Sequence, residues 1–154
     1  GIGGSQHLKN INFISNGIQG GQTGIAAGYS SQLFNKDKKY ASVMFLGDGT
    51  LGQGHIYEAF NLAGIYNSKI IFVLEDNKIA QSTPSSKTFK GNIKEIVEGY
   101  NINYISCDSN NFDSMLEAVQ HSLISSEKPS FIHVHTQRLS SHSKGDDNRK
   151  KRRY

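Results

Sequence analysis

The chain has little with which to cross-link or anchor itself. A single cysteine in 154 residues, Cys107, excludes an intramolecular disulfide framework and any cysteine-based metal cluster within one chain. No apolar run reaches membrane length and no signal-like start is present, so the expectation is a cytoplasmic protein with no membrane partner. No internal repeat and no low-complexity linker precedes the tail. With 36% hydrophobic and 19% charged residues, neither a membrane protein nor a polyelectrolyte is indicated, and the length suits one compact domain rather than two.

Charge of one sign is also scarce over most of the chain. The formal net charge is +4, but seven basic and two acidic residues fall between Arg138 and Tyr154, a local +5. The ten basic and eleven acidic residues before them leave the body at −1. A uniformly basic nucleic-acid surface is therefore disfavoured, and the run Arg149 to Arg153 reads as a solvated tail. The chain starts at Gly1 rather than Met and enters a glycine-rich stretch at once, which reads as an excerpt or a processed chain.

Four short apolar runs read as strands: 43–46, 70–74, 102–106 and 131–135. The first two are continuous rather than alternating, the pattern of strands covered on both faces. Helical periodicity lies between them. Ile56, Phe60 and Ala63 recur at i, i+4 and i+7, and Phe112, Met115, Leu116, Val119 and Leu123 repeat the pattern after an N-cap in 109–111. Shorter helices are expected over 25–34 and 93–100. Strands alternating with helices predict an α/β fold with a parallel sheet flanked by helices, whose ligands bind beyond the carboxyl ends of the strands.

The first strand end carries Gly47-Asp48-Gly49-Thr50-Leu51-Gly52, which fits the dinucleotide fingerprint G-x-G-x-x-G between a strand and a helix. A Rossmann oxidoreductase binding NAD or FAD is thus one reading. Asp48 argues against it, because a carboxylate between two glycines that approach a pyrophosphate sets like charges together in a water-poor crevice. A divalent cation between them removes the conflict. The second strand ends in Asp76-Asn77-Lys78-Ile79, which supplies an amide oxygen and a free carbonyl 29 residues after Asp48. A hard cation of the magnesium type takes such oxygens together with substrate phosphates, so the pair reads as a magnesium-diphosphate site, with the helix beginning near Gly54 or His55 adding positive dipole.

The segment from Gly47 to Pro84 resembles the thiamine diphosphate signature, a Gly-Asp-Gly followed about thirty residues later by Asn. More narrowly, the chain is similar to the alpha subunit of the decarboxylating first component of 2-oxoacid (pyruvate, branched-chain, acetoin) dehydrogenase complexes. Stretches 3–8, 16–28 and 136–147 carry that narrower likeness, which covers nearly the whole chain in the family's order.

The resemblance implies a thiamine diphosphate-binding fold, with residues 1–138 as the diphosphate-magnesium domain and 139–154 as an active-site loop and basic tail. It implies thiamine diphosphate and Mg2+ as cofactors. Asp48, Asn77 and the carbonyl of Ile79 would ligate the metal; Gly49 and Thr50 would lie against the diphosphate and Gly17 and Gln19 at the aminopyrimidine, with Gly47 and Arg138 also binding the cofactor. Relatives often carry an aliphatic residue in place of Gln19, and the family's second loop arginine is Ser140 here. His142, followed by Ser143, Asp146 and Asp147, matches the histidine of the loop that closes over the cofactor, and His7 is a second catalytic candidate.

In this family the cofactor's own aminopyrimidine accepts the thiazolium proton once a glutamate of the beta subunit holds the ring, which accounts for the lack of a general base in this chain. Oxidative decarboxylation of a pyruvate-like 2-oxo acid with acyl transfer to lipoamide is implied, in an alpha2beta2 assembly with a lipoyl acyltransferase partner. An acetoin or transketolase-like thiamine enzyme and a non-catalytic docking subunit remain as other readings.

Blander readings exist for single residues. Asp48 could cap the following helix. Glu58 and Asn61 read as structural. His133 and His135 face one way on a strand and form a potential metal pair, but with no third ligand nearby in sequence they read as packed or hydrogen-bonded histidines. Cys107 reads as a buried strand-end thiol.

Overall fold

The computed structural model describes residues 7–10, 12–36, 40–125 and 127–142. The Ser143, Asp146 and Asp147 continuation, the basic run and the glycines before His7 lie outside these residues.

Two short antiparallel strands, β1 (Lys9–Asn10) and β2 (Phe13–Ile14), precede helix α1 (Thr23–Lys36). The chain then runs through β3 (Ser42–Gly47), a 3-10 turn (Asp48–Gly52), α2 (Gly54–Tyr66) and β4 (Ile70–Asp76). A two-stranded hairpin follows, β5 (Ile79–Ala80) with β6 (Thr83–Pro84), then α3 (Ile93–Gly99), β7 (Asn103–Asp108), α4 (Phe112–Gln120) and β8 (Ser130–His135). The main sheet has the order β3-β4-β8-β7, all parallel. The last strand therefore slots between the second and third, and β8 is placed against the end of β4. The α/β fold with helices flanking a parallel sheet is as expected.

Helix α2 buries the face its periodicity marks: Ile56, Phe60 and Ala63 are all fully buried. It ends at Asn67, which takes the left-handed conformation (φ 44°) usual for glycine and returns its N–H to the carbonyls of Ala63 and Gly64. Phe60 is the centre of the larger core. Its ring meets Phe72 of β4 at 4.9 Å and Phe131 of β8 at 5.8 Å, both near-perpendicular, so α2 is keyed to the two central strands. On the other sheet face Ile71, Cys107, Ile132 and Val134 pack with Ala118 of α4. Helix α4 is capped by Asn111, whose Oδ1 accepts from the Ser114 N–H at 3.0 Å, within the expected capping cluster. The helix expected to run on to Leu123 instead passes into a π turn at His121–Ser125.

The strand over 43–46 departs from expectation. Met44 and Leu46 are buried, but Val43 and Phe45 are 48% and 62% exposed. Strand β3 is the sheet edge, and α4 packs on β7 and β8 at the far side, so among the described residues the second face of β3 is open. An unbroken apolar run does not distinguish an edge strand from a central one.

Cys107 is buried at the end of β7, as expected. Burial, and secondarily the charge of Asp108, push its thiol above the ordinary value. The thiolate fraction at neutral pH therefore falls below that of a free cysteine, and it recovers only as pH rises. Ellman's reagent should label the native chain at least about tenfold more slowly than the unfolded chain at pH 7. Equal rates would place the thiol at the surface.

Candidate functional site

Strands β3 and β4 pair in register through Gly47 and Glu75, so Asp48 lies one residue beyond this pairing and Asn77 two. The chain leaves β4 through two successive side-chain turns. Asp76 Oδ1 accepts from the Lys78 N–H at 3.0 Å, and Asn77 Oδ1 accepts from the Ile79 N–H at 3.1 Å. Lys78 is thereby held at φ 66°, a left-handed conformation that costs a non-glycine residue on the order of 1 kcal/mol. The turn delivers Ile79 and Ala80 back against the Asp48 segment.

Asp48 is 3% exposed. Its Oδ1 accepts from the Gly49 N–H at 3.0 Å, and its Oδ2 accepts from the Ser85 hydroxyl. It does not cap α2: the cap position is Gln53, with no side-chain bond. Helix α2 starts at Gly54, as expected, but a 3-10 turn intervenes, so Asp48 opens that turn instead.

Gly49 sits in a tight cleft. A Cβ there would lie 2.9 Å from the Ala80 Cβ and 3.0 Å from Gln19 Nε2. The segment before α1 thus reaches the same place as the two strand ends. It is fixed by His55 Nε2, which donates to the Gln19 carbonyl at 3.1 Å, and by Gly20 at φ 70°, whose missing Cβ leaves room for the His55 ring. Thr50 is buried against Gly20. Arg138, three residues after β8, extends Nη1 to 3.5 Å from the Ile79 carbonyl. The structure therefore gathers Gln19, Asp48, Gly49, Thr50, Asn77, Ile79 and Arg138 at one edge. Gly47 ends β3 beside them. Gly17 is exposed in the loop before α1, and His7 and His142 are exposed on the segments before β1 and after β8; their roles rest on the resemblance alone.

A second cluster adjoins the first. Asp76, buried, receives His133 Nε2 at 2.8 Å and the Lys78 ammonium on the same oxygen. His133 Nδ1 meets the Tyr104 hydroxyl at 2.8 Å, and His135 Nε2 meets Ser106 Oγ at 3.0 Å. Burial would raise the Asp76 carboxyl, but the bonds from His133 and Lys78 and the lysine charge outweigh it and hold the group far below the usual carboxylate range. Burial, then His133 and Lys78, lower His135, which favours its neutral form. The two histidines are hydrogen-bonded, as expected. Asp76 as a third group beside them was not legible from spacing, since it lies 57 residues before His133 and meets it only because β8 inserts next to β4. A hollow of about 610 Å³ opens at the other, amino end of β7, between Asn103, His121 and Lys128, with Tyr104 in its wall.

The whole chain, residues 1–154, matches the family described as dehydrogenase E1 component. The chain belongs to this family. Among curated relatives it is 30% identical over 153 residues to the alpha subunit of acetoin:2,6-dichlorophenolindophenol oxidoreductase from Bacillus subtilis (strain 168), covering 95% of this chain and 46% of that protein. It is 29% identical over 153 residues to the pyruvate dehydrogenase E1 component subunit alpha of Rickettsia conorii, covering 95% and 47%. The chain spans about half the length of these relatives. In fold it is similar to transketolases from Campylobacter jejuni (TM-score 0.70, 19% identity, 81% of this chain and 21% of that one) and Leishmania mexicana (TM-score 0.64, 18% identity, 80% and 20%). The resemblance to E1 alpha subunits and the thiamine diphosphate-binding fold are both borne out. In this E1 family chain the glycine fingerprint after β3 is therefore no mark of a dinucleotide enzyme.

Proposed function

We propose that the chain is the diphosphate-binding part of a thiamine diphosphate- and Mg2+-dependent dehydrogenase alpha subunit acting on a small 2-oxo acid. The observation that carries this reading is the buried carboxylate of Asp48, set beside the Asn77-to-Ala80 turn at the ends of two adjacent parallel strands.

The donor set fits the cation. Asp48, the Asn77 amide and the Ile79 carbonyl are all hard oxygens, and each hydrogen bond described for them leaves lone pairs over. None of the ion pairs among the described residues includes Asp48, so a cation would meet an anion already stripped of most of its water. The Gly49 cleft, too tight for a Cβ, lets backbone approach a diphosphate, and Arg138 brings a planar cation to the same edge. Ser85 holds the Asp48 carboxylate in one orientation. Gln19, through its backbone, would face the aminopyrimidine. Thiamine diphosphate, when bound, supplies the nucleophilic carbon and the electron sink that no side chain offers.

A beta subunit would supply the activating glutamate, and a lipoyl acyltransferase would take the acyl group. The acetoin-type reading stays beside the pyruvate-type one because an acetoin enzyme and a pyruvate enzyme match almost equally well. The test is to co-express the complete subunit with its beta partner and assay 2-oxo acids and acetoin with dichlorophenolindophenol as acceptor. Thiamine-dependent reduction with one substrate is expected. An assembled complex inert across the panel would favour the docking-subunit reading. This chain alone should bind the cofactor weakly and turn nothing over.

A further inference from the structure

We propose that Asp76, His133 and His135 form a second metal site, distinct from the Asp48–Asn77 oxygens and selective for a borderline divalent ion such as Zn2+ or Co2+. One ligand atom from each residue lies within 4.8 Å of the other two. Tetrahedral coordination at bonds of about 2.0–2.2 Å needs donor atoms roughly 3.4 Å apart, so the three are within a small side-chain adjustment of a common centre. The backbone fixes this convergence: Asp76 and His135 are register partners on β4 and β8, and His133 projects from the same face two residues earlier.

The donors differ in kind from those of the first site. Two imidazoles and one carboxylate suit zinc, cobalt or nickel and disfavour magnesium, which takes oxygens. Asp76 and His133 are 4% and 6% exposed, while His135 faces solvent and gives the ion its way in and an open position for water. Outer partners are in place. Tyr104 meets His133 Nδ1, and its hydroxyl can accept as well as donate, so it can accept a hydrogen bond from Nδ1–H when Nε2 turns its lone pair to a metal. Ser106 plays the corresponding part at His135.

Lys78 is the built-in competitor, because its ammonium occupies the same Asp76 oxygen. Its side chain is 67% exposed and can swing into water, leaving the carboxylate to the ion. Occupancy would clip β4 to β8 one residue before Asn77. That places a borderline-metal input next to the proposed magnesium ligand.

The experiment titrates Co2+ into the chain in excess Mg2+, reading visible d–d bands and calorimetry, and repeats it with His135→Ala and Lys78→Met. Both positions are on the surface, and circular dichroism checks that each variant folds. One Co2+ per chain is expected, displaced by Zn2+ and not by Mg2+. His135→Ala should weaken binding at least about 100-fold, and Lys78→Met should tighten it about tenfold. Absent d–d bands, an affinity unchanged by His135→Ala, or one unaffected by Lys78→Met would each overturn the assignment. The other histidines are untouched in these variants, so retained binding would locate the metal elsewhere.

Discussion

Asp48→Asn should remove magnesium-dependent thiamine diphosphate binding from the assembled enzyme while leaving the fold intact. Asparagine keeps the volume, and its amide oxygen can still accept from the Gly49 N–H or the Ser85 hydroxyl, so the local geometry survives. What disappears is the charge. A neutral amide binds a hard divalent cation far more weakly than a carboxylate, and the expected loss is at least about 100-fold in affinity, or roughly 3 kcal/mol. Stability in the absence of cofactor should stay level or rise, because a buried anion is costly until a cation meets it. A merely structural Asp48 makes the opposite forecast, with stability falling and affinity unchanged. Calorimetry with and without chelator, beside a thermal melt of the same variant, separates the two. Unaltered affinity would sink the magnesium assignment.

How this site came to be legible has a physical basis. Asp48 and Asn77 each come within three residues of the end of an apolar run, and in a parallel sheet the carboxyl ends of neighbouring strands share one edge. Local sequence therefore places both residues. Features that depend on which strand lies beside which are not placed in this way. Nothing around Asp76 announces that β8 will pair with β4, so the Asp76–His133 contact appears only in three dimensions. The exposure of Val43 and Phe45 follows from β3 being the edge, which hydropathy does not encode. The β5–β6 hairpin escapes for another reason: the chain enters it through Lys78 and turns at Gln81, left-handed residues without glycine's usual signal. Gln19 was readable as a departure from relatives, but its lodging against Gly49 was not.

Gly64→Ala should be among the most damaging single-methyl changes in the domain, although helix propensity forecasts the reverse. Gly64 lies inside α2, where alanine is favoured over glycine by about 1 kcal/mol. A Cβ at that position, however, would stand 2.2 Å from the Tyr100 carbonyl oxygen and 3.3 Å from its carbonyl carbon. Those atoms are backbone, so no rotamer change relieves the clash. They belong to the turn that caps α3 and passes through Asn101 at φ 60° into β7, and α2 is pinned one turn earlier on the same face by Phe60 against Phe72 and Phe131. Either the turn or the helix must move by more than an ångström. Overpacking of this kind costs about 1–3 kcal/mol or more, which exceeds the propensity gain. A net loss of about 2 kcal/mol, seen as a fall of about 4–8 °C in melting temperature, is expected. Gly28→Ala is the matched control: it too is a helix-interior glycine, in α1, but nothing lies within 4 Å of its added Cβ. That variant should gain up to about 1 kcal/mol. If both substitutions stabilise, the close approach of α2 to Tyr100 is not a feature of the folded chain.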